Sequence, residues 1–427
     1  MEVTTRAQGV VSPFVPRSFG TPAAVVVAPA LPEDSVTLSE APRSLMSRGA
    51  ALAFLALAVA TPLVGCAGPL LSQVPADLPI STTMPLEQRT GYTWNAVRIV
   101  AGDQAALDQA VSLIERAGHS VRMEASSFHG AEAERLANAL EAKARDHKSV
   151  YLLVDPSENS PLLTRLANAG VNVRRYDTSR LPIGPTRSDN ANLLVVDDSV
   201  AMSGNARWDN ENSASFSAVA QGPAVADLRA LWNESWGEEQ IFNPQALDLQ
   251  LEPNAAVRVL SNNPNRQETR EALLAHIRAA KKEIFIQAFA LDDTDIFQAL
   301  KDARDRSVEV NVLLNRGTRP FARWHGEMNN LGAGINFSED NNALSFRWFP
   351  SNPDRKLRAM VAEFDHETVL ISTSYWTGPL ASSRQHSIDL LINSKSEVSN
   401  MKWDMIDNWQ NEGIHAPVEK PTRTFHR

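Results

Sequence analysis

Two short segments of this chain repeat one spacing of polar residues. Asn190 and Asn192 precede Asp197 exactly as far as Arg358 and Met360 precede Asp365. Each aspartate leads into an apolar run and then a step of small residues, Gly204-Asn205-Ala206-Arg207-Trp208 in one copy and Ser372-Thr373-Ser374-Tyr375-Trp376 in the other. Asn190, Asn192, Asn205, Arg207, Arg358 and Ser374 offer amides, guanidiniums and a hydroxyl. Such groups can hold a phosphate or carboxylate through paired hydrogen bonds. They are poor at moving protons: an amide nitrogen has its lone pair delocalised, a guanidinium stays charged up to about pH 12, and the Met360 thioether carries no charge. A plainer reading, equally weighted, has Arg358 paired with Asp365 or Glu363 in a structural network, with Asp197 and Asp365 orienting backbone.

Around these segments, helical and strand patterns alternate, which argues for an α/β class. Three blocks recur in order. Ile114 to Phe128 overlays Ile277 to Leu291, a helix end followed by a strand. Leu136 to Asp155 overlays Ile296 to Asn315, a helix with apolar positions near a 3.6-residue period and then a buried strand. Leu193 to Trp208 overlays Val361 to Trp376, each with an aspartate, an apolar strand and a tryptophan. The chain therefore reads as two copies of one unit, 96–243 and 256–415, joined by a linker at 244–255 and followed by a tail at 416–427.

The third block resembles the phospholipase D superfamily, whose members carry H-x-K-x4-D-x6-G-S-x-N in each half and pair the halves about a pseudo-twofold axis. The resemblance covers nearly all of 96–415 through block order and is more specific in the first half. It places Asp197 on the motif aspartate and Gly204 on the glycine; Asn190 and Asn192 stand at the histidine and lysine, and Asn205 and Arg207 at the serine and asparagine. In the second half Asp365 matches the aspartate and Thr373 the serine or threonine. Arg358 replaces the histidine, Met360 the lysine, Ser372 the glycine and Tyr375 the asparagine. The resemblance implies two mixed β-sheets flanked by helices, and a reaction in which one histidine attacks phosphorus while the other protonates the leaving oxygen. Both roles need a group that titrates near neutral pH, and neither inherited slot holds one.

Of the nine histidines, none falls in an H-x-K. His276-Ile277-Arg278 mimics the pattern on an amphipathic helix. His366 and His386 follow the second segment closely enough to reach a pocket mouth, with a solvated turn as the default reading. His119, His129 and His147 lie at helix ends or turns. Trp208, Trp232, Trp236, Trp376, Trp403 and Trp409 are expected to pack in the core, while Phe321 to His325 with Phe346 to Phe349 alternates Arg and Trp in a way that could face lipid headgroups.

Cys66 is the single cysteine, so no intrachain disulfide and no Cys-based metal site exists. The apolar run 50–65 follows Arg43 and Arg48 and ends in small residues directly before it. At about sixteen residues it is short for a bilayer span and suits a signal-peptide core. Leu63-Val64-Gly65-Cys66 resembles the bacterial lipobox, which implies diacylglycerol on Cys66 and cleavage before it. Ala67 in place of aspartate implies the periplasmic face of the outer membrane. Residues 46–65 then form the signal peptide and 66–95, rich in Pro, Ser and Thr, a tether. Residues 1–45 read as a mis-assigned or disordered extension, because Met46-Ser47-Arg48 makes an ordinary signal-peptide start.

The net charge of −9 disfavours nucleic acid, since polyanion binding draws on clustered Lys and Arg. The expected function is a lipid-anchored, catalytically inactive phospholipase D-like protein that binds a phospholipid headgroup, another anionic ligand or an envelope protein, with no metal or cofactor. The alternative is an active phosphodiesterase or phosphatidyltransferase with non-standard catalytic groups.

Overall fold

In this computed structural model, residues 92–182, 187–209, 212–238, 247, 249–263, 266–291, 293–315, 344–349, 355–376, 383–412 and 414–415 are described. Cys66 with its flanking segments, Phe321 to His325 and the tail from 416 lie outside them. Among the described residues no helix is long and apolar enough to cross a membrane.

The first repeat runs β1 (Thr93–Ala101), α1 (Asp103–Glu115), β2 (Ser120–Ala125), α2 (Gly130–Arg145), β3 (Ser149–Val154), α3 (Pro161–Asn168), β4 (Asn172–Arg175), β5 (Ser188–Asp189), β6 (Asn192–Val196), β7 (Val200–Gly204), β8 (Ser213–Ala214), β9 (Phe216–Gln221) and α4 (Ala224–Trp236). The second runs β10 (Ala255–Asn263), β11 (Arg266–Gln267), α5 (Glu268–Ala279), β12 (Glu283–Ala288), α6 (Thr294–Asp305), β13 (Glu309–Asn315), β14 (Leu344–Phe349), β15 (Lys356–Leu357), β16 (Met360–Phe364), β17 (Thr368–Ile371), β18 (Gln385–Asn393), α7 (Lys395–Asp407) and β19 (Ile414–His415). Thr93 to Asn95, ahead of Ala96, already pair with Ala255 to Val257 of β10.

The two sheets have the same order. One is β4-β3-β2-β6-β7-β9-β1 and the other β14-β13-β12-β16-β17-β18-β10. Three neighbouring strands at one side of each are parallel, with α2, α3 and α6 as the described crossovers, and the rest are antiparallel. The register repeats as well: Ala125 pairs with Asn192 and Ala288 with Met360, while single bridges join Phe128 to Trp208 and Leu291 to Trp376.

Strand alternation divides the interior. Val121, Met123 and Ala125 of β2 turn outward onto Leu107, Leu113 and Leu136 of α1 and α2, and Ile284, Ile286 and Ala288 of β12 do the same against α5 and α6. A third core lies between the sheets, where Trp232 and Trp236 of α4 and Met401 and Met405 of α7 pack on inner-face residues of both repeats. Burying each such side chain contributes about 1.5–3 kcal/mol. The inner face of β2 also carries Arg122 and Glu124, both fully buried.

Not every tryptophan joins these cores. Trp403 is 73% exposed, because Val398, Met401 and Met405 define the buried stripe of α7 and position 403 falls on the opposite side. The Phe346 to Phe349 segment falls in β14, where Phe349 is buried and Arg347 lies over the Trp409 ring at 4.6 Å.

Candidate functional site

Asp197 and Asp365 end β6 and β16 in tight turns, each with positive φ followed by a second positive-φ residue (51° and 52° at Asp197-Asp198, 55° and 66° at Asp365-His366). Aspartate is among the side chains that tolerate this region. The Asp197 carboxylate accepts backbone N–H bonds from Gly118, His119 and Ser120 at 2.7 to 2.8 Å, and Asp365 accepts them from Lys281, Lys282 and Glu283 at 2.7 to 3.1 Å. Both fasten a helix-to-strand turn to a hairpin. Neither carboxylate lies with Asn190 or Arg358, which stand at the opposite ends of β6 and β16.

At those opposite ends the repeats meet. The short strand β5 runs parallel to the start of β18, and β15 runs parallel to β8, so each repeat lends two residues to the other. The Asn190 N–H donates to the His386 carbonyl (2.9 Å) and the Arg358 N–H to the Ala214 carbonyl (3.0 Å). These reciprocal contacts are what pairing about a pseudo-twofold axis requires. The Asn190 amide donates to Gln385 Oε1 (2.9 Å), which also accepts from the Tyr375 N–H (3.1 Å).

The remaining slots are engaged as follows. Asn192 is buried and its Oδ1 accepts from the Ser126 N–H and hydroxyl at 3.1 and 3.0 Å. Asn205 crosses between repeats: its Nδ2 donates to the Ser372 carbonyl at 3.1 Å and lies 3.5 Å from the Met360 carbonyl, and its Oδ1 accepts from the Phe216 N–H at 2.7 Å. Gly204 precedes it where no Cβ fits, since one would stand 2.4 Å from the Phe216 oxygen. Arg207 is half-buried, pairing with Asp209 at 2.7 Å and donating to Ser127 Oγ at 3.2 Å. Met360 is buried. Arg358 lies over the Phe289 ring at 4.8 Å, and Phe289 stacks on Tyr375 at 5.2 Å. Glu363 and Asp365, the partners weighed for Arg358, are engaged at the far end of β16. Ser374 is buried and accepts from Asn262 Nδ2 at 3.1 Å. Asn190, Arg207 and Arg358 thus remain partly accessible, whereas Asn192, Asn205, Met360 and Ser374 are internal.

The histidines separate. His366 sits in the turn beside Asp365, against Lys402 Nζ (2.7 Å) and Glu283 (3.2 Å), at the end of β16 remote from Arg358. His386 is no solvated turn residue; it is 5% exposed on β18. Its backbone touches Asn190, but its ring stacks on Tyr176 at 4.7 Å, with Nε2 2.9 Å from Ser235 Oγ and 3.2 Å from Glu124 Oε1. Burial lowers the pKa of His386, raises that of Glu124 to about 8 and raises that of Asp189 well above the carboxylate range. This cluster escaped sequence reasoning because its members come from three distant strands.

One further pair went unread in the sequence. His129, which enters α2, has its N–H bonded to the Trp208 carbonyl next to Arg207, and its exposed ring meets Glu158 at 2.9 Å. Burial pushes Glu158 up, yet bonds from the His129 ring and the Phe128 and Ser160 N–H groups outweigh it and hold the carboxylate low. Only the approach of the loops after β2 and β3 brings the two together.

Two sheets of one strand order, joined where β5 meets β18 and β15 meets β8, make up a mixed α/β fold flanked by helices. Residues 273–426, most of the second repeat, match the family described as "Cardiolipin synthase, PLD-like domain", although motif remnants are fuller in the first repeat. Among solved structures, the chain is similar to the phosphatidylserine synthase of Haemophilus influenzae Rd KW20, with a TM-score of 0.58, 11% identity, 77% of this chain and 90% of that one covered. It is also similar to the polyphosphate kinase of Porphyromonas gingivalis, with a TM-score of 0.50 and 12% identity over 77% of this chain and 53% of that one. At these identities the likeness is one of fold. None of the curated protein sequences is a match.

Proposed function

We propose that this protein is a catalytically inactive, PLD-like lipoprotein, anchored through Cys66 to the periplasmic face of the outer membrane, that binds an anionic group such as a phospholipid headgroup at the seam between its repeats. The observation that carries the reading is the occupancy of the two motif starts. Asn190 and Asn192 are bound by Gln385 and Ser126, Met360 is buried, and Arg358 lies over Phe289. No imidazole stands in either slot, and His386, whose carbonyl accepts the Asn190 N–H, turns its ring into the interior. Asn190, Arg207 (paired with Asp209) and Arg358 (over Phe289) are the partly accessible polar groups at the motif positions, and amides and guanidiniums are suited to holding an oxyanion without transferring it.

The test is the purified chain assayed with phosphatidylglycerol, cardiolipin and a chromogenic phosphodiester, together with flotation on vesicles containing phosphatidylglycerol. Binding that falls in Arg207→Ala and Arg358→Ala without measurable turnover is expected. Turnover abolished by Asn190→Ala or Arg358→Ala would sink the reading. For the anchor, Cys66→Ser is expected to move the protein from the membrane to the soluble fraction, and retention in the membrane would count against it.

A second reading, an active phosphodiesterase with non-standard groups, is favoured by one observation: the exposed His129–Glu158 pair adjoins Arg207. A carboxylate that orients an imidazole is a recurring way to prepare a base or nucleophile. Turnover lost in His129→Ala would select it.

A further inference from the structure

Where the repeats join, β2 projects Glu124 from its inner face, β5 supplies Asp189 and β18 supplies His386. One ligand atom from each lies within 4.8 Å of the other two. All three residues are buried. Two carboxylates and an imidazole in a dry interior need compensation, since an unpaired buried charge costs several kcal/mol. Among the described residues no Lys or Arg forms an ion pair with Glu124 or Asp189. Neither oxygen of Glu124 nor Oδ2 of Asp189 makes a hydrogen bond of good geometry, although Ser235 and Asp189 stand close enough to Glu124 to oppose the rise that burial gives its pKa. The other Asp189 oxygen is used by the Ala191 N–H (3.0 Å), and Asp155 accepts the Asp189 N–H (2.8 Å), so the carboxylate is held with one oxygen directed at the cluster.

The second repeat offers a contrast. Glu283, Glu363 and His366 come equally close, but Lys402 Nζ sits among them, bonded to Glu283 and to His366 and 3.9 Å from Glu363. There an ammonium supplies the positive charge, and the place of a cation is taken.

We propose that Glu124, Asp189 and His386 form a structural site for a divalent cation of the zinc type, which ties the two repeats together. A neutral imidazole with two carboxylates is a nitrogen and oxygen set that such an ion accepts. Bonds of about 2.0 Å in a tetrahedron place neighbouring ligand atoms roughly 3.3 Å apart, and His386 Nε2 lies 3.2 Å from Glu124 Oε1. Ser235 Oγ lies 2.9 Å from Nε2 and within reach of the Leu231 carbonyl at 3.1 Å, so it is the nearby oxygen that could complete the set. Binding requires the carboxylates ionised and the imidazole neutral, and it releases any protons they hold. Sequence excluded a Cys-based site because Cys66 stands alone; the two repeats contribute nitrogen and oxygen ligands that only the fold assembles.

The probe is Zn2+ itself. The purified chain, its tag removed, is stripped with chelator, dialysed against Zn2+, and its metal content and Tm are measured. One Zn2+ per chain and a rise in Tm that chelator reverses are expected. Glu124→Gln and His386→Ala should each weaken Zn2+ binding by about 100-fold or more, and His366→Ala should leave it unchanged. Should the variants fail to fold, Co2+ added to the stripped wild-type chain reports directly: visible bands of a four-coordinate nitrogen and oxygen site support the proposal, and their absence overturns it. Stoichiometric Zn2+ retained by folded His386→Ala overturns it too. So does a wild-type chain that binds no Zn2+ while Glu124→Gln raises the Tm of the stripped protein, the result expected if a shared proton holds the carboxylates.

Discussion

The Asn190 N–H and the His386 carbonyl, 2.9 Å apart, belong to different repeats, and their counterparts Arg358 and Ala214 make the same bond at 3.0 Å. In the resemblance drawn from sequence, positions 190 and 358 are the two histidine slots. Here their backbones are seam bonds, so residues there are constrained by the joint between repeats whether or not they do chemistry.

Asn205 extends that seam. Asn205→Ala removes the acceptor of the buried Phe216 N–H and the donor to the Ser372 carbonyl. Leaving a buried polar group unpaired costs about 1–3 kcal/mol, so a loss of about 2–4 kcal/mol is expected in urea unfolding. A change under about 0.5 kcal/mol would show that the crossing bonds do not matter to stability.

Gly204→Ala should be at least as harmful. Its Cβ would meet the Phe216 oxygen and the Ser217 Cα, both at 2.4 Å. Backbone atoms cannot rotate aside, and overpacking of this kind costs typically about 1–3 kcal/mol or more. The drop in Tm measured by calorimetry checks it.

The two aspartates predict parallel results. Asp197→Ala and Asp365→Ala each strand three backbone N–H groups that now point at a carboxylate, with an expected cost of about 3 kcal/mol. Vesicle binding by the folded fraction should be unchanged, because both turns lie away from Arg207 and Arg358. Loss of binding at full stability would contradict this placement.

Glu363 gives a pH signature. Burial raises its folded pKa to about 7, above an unfolded value near 4.3. A folded pKa raised in this way contributes stability that is complete below the unfolded value and lost as pH rises through about 7. Glu363→Gln should therefore flatten the fall in Tm between about pH 5 and pH 8. An unchanged slope would assign that fall to other groups.

The repeat was legible in sequence because it resides in local patterns. Apolar positions of α1, α2, α5 and α6 keep helical spacing, and β2 and β12 keep strand alternation, so overlaid blocks reappear as equivalent registers. What joins the repeats was not legible. Strands β5, β8 and β15 are two residues long and pair across wide sequence separations, leaving no periodicity to read. His386 looked like a turn residue because nothing nearby in sequence announces Glu124 or Ser235. Trp403 was misplaced for a simpler reason: α7 buries a narrow stripe, and counting tryptophans did not consult the phase of its helix.

β1 belongs to both sheets, pairing with β10 through Thr93 to Asn95 and with β9 through Ala96 to Ala101. Asn95 Oδ1 also accepts the Ala224 N–H that opens α4, at 2.9 Å. A recombinant fragment begun at Ala96 would discard this stitch and leave Ala255 to Val257 with bare backbone groups along one margin. Expression boundaries belong ahead of Tyr92, where the whole first strand is kept.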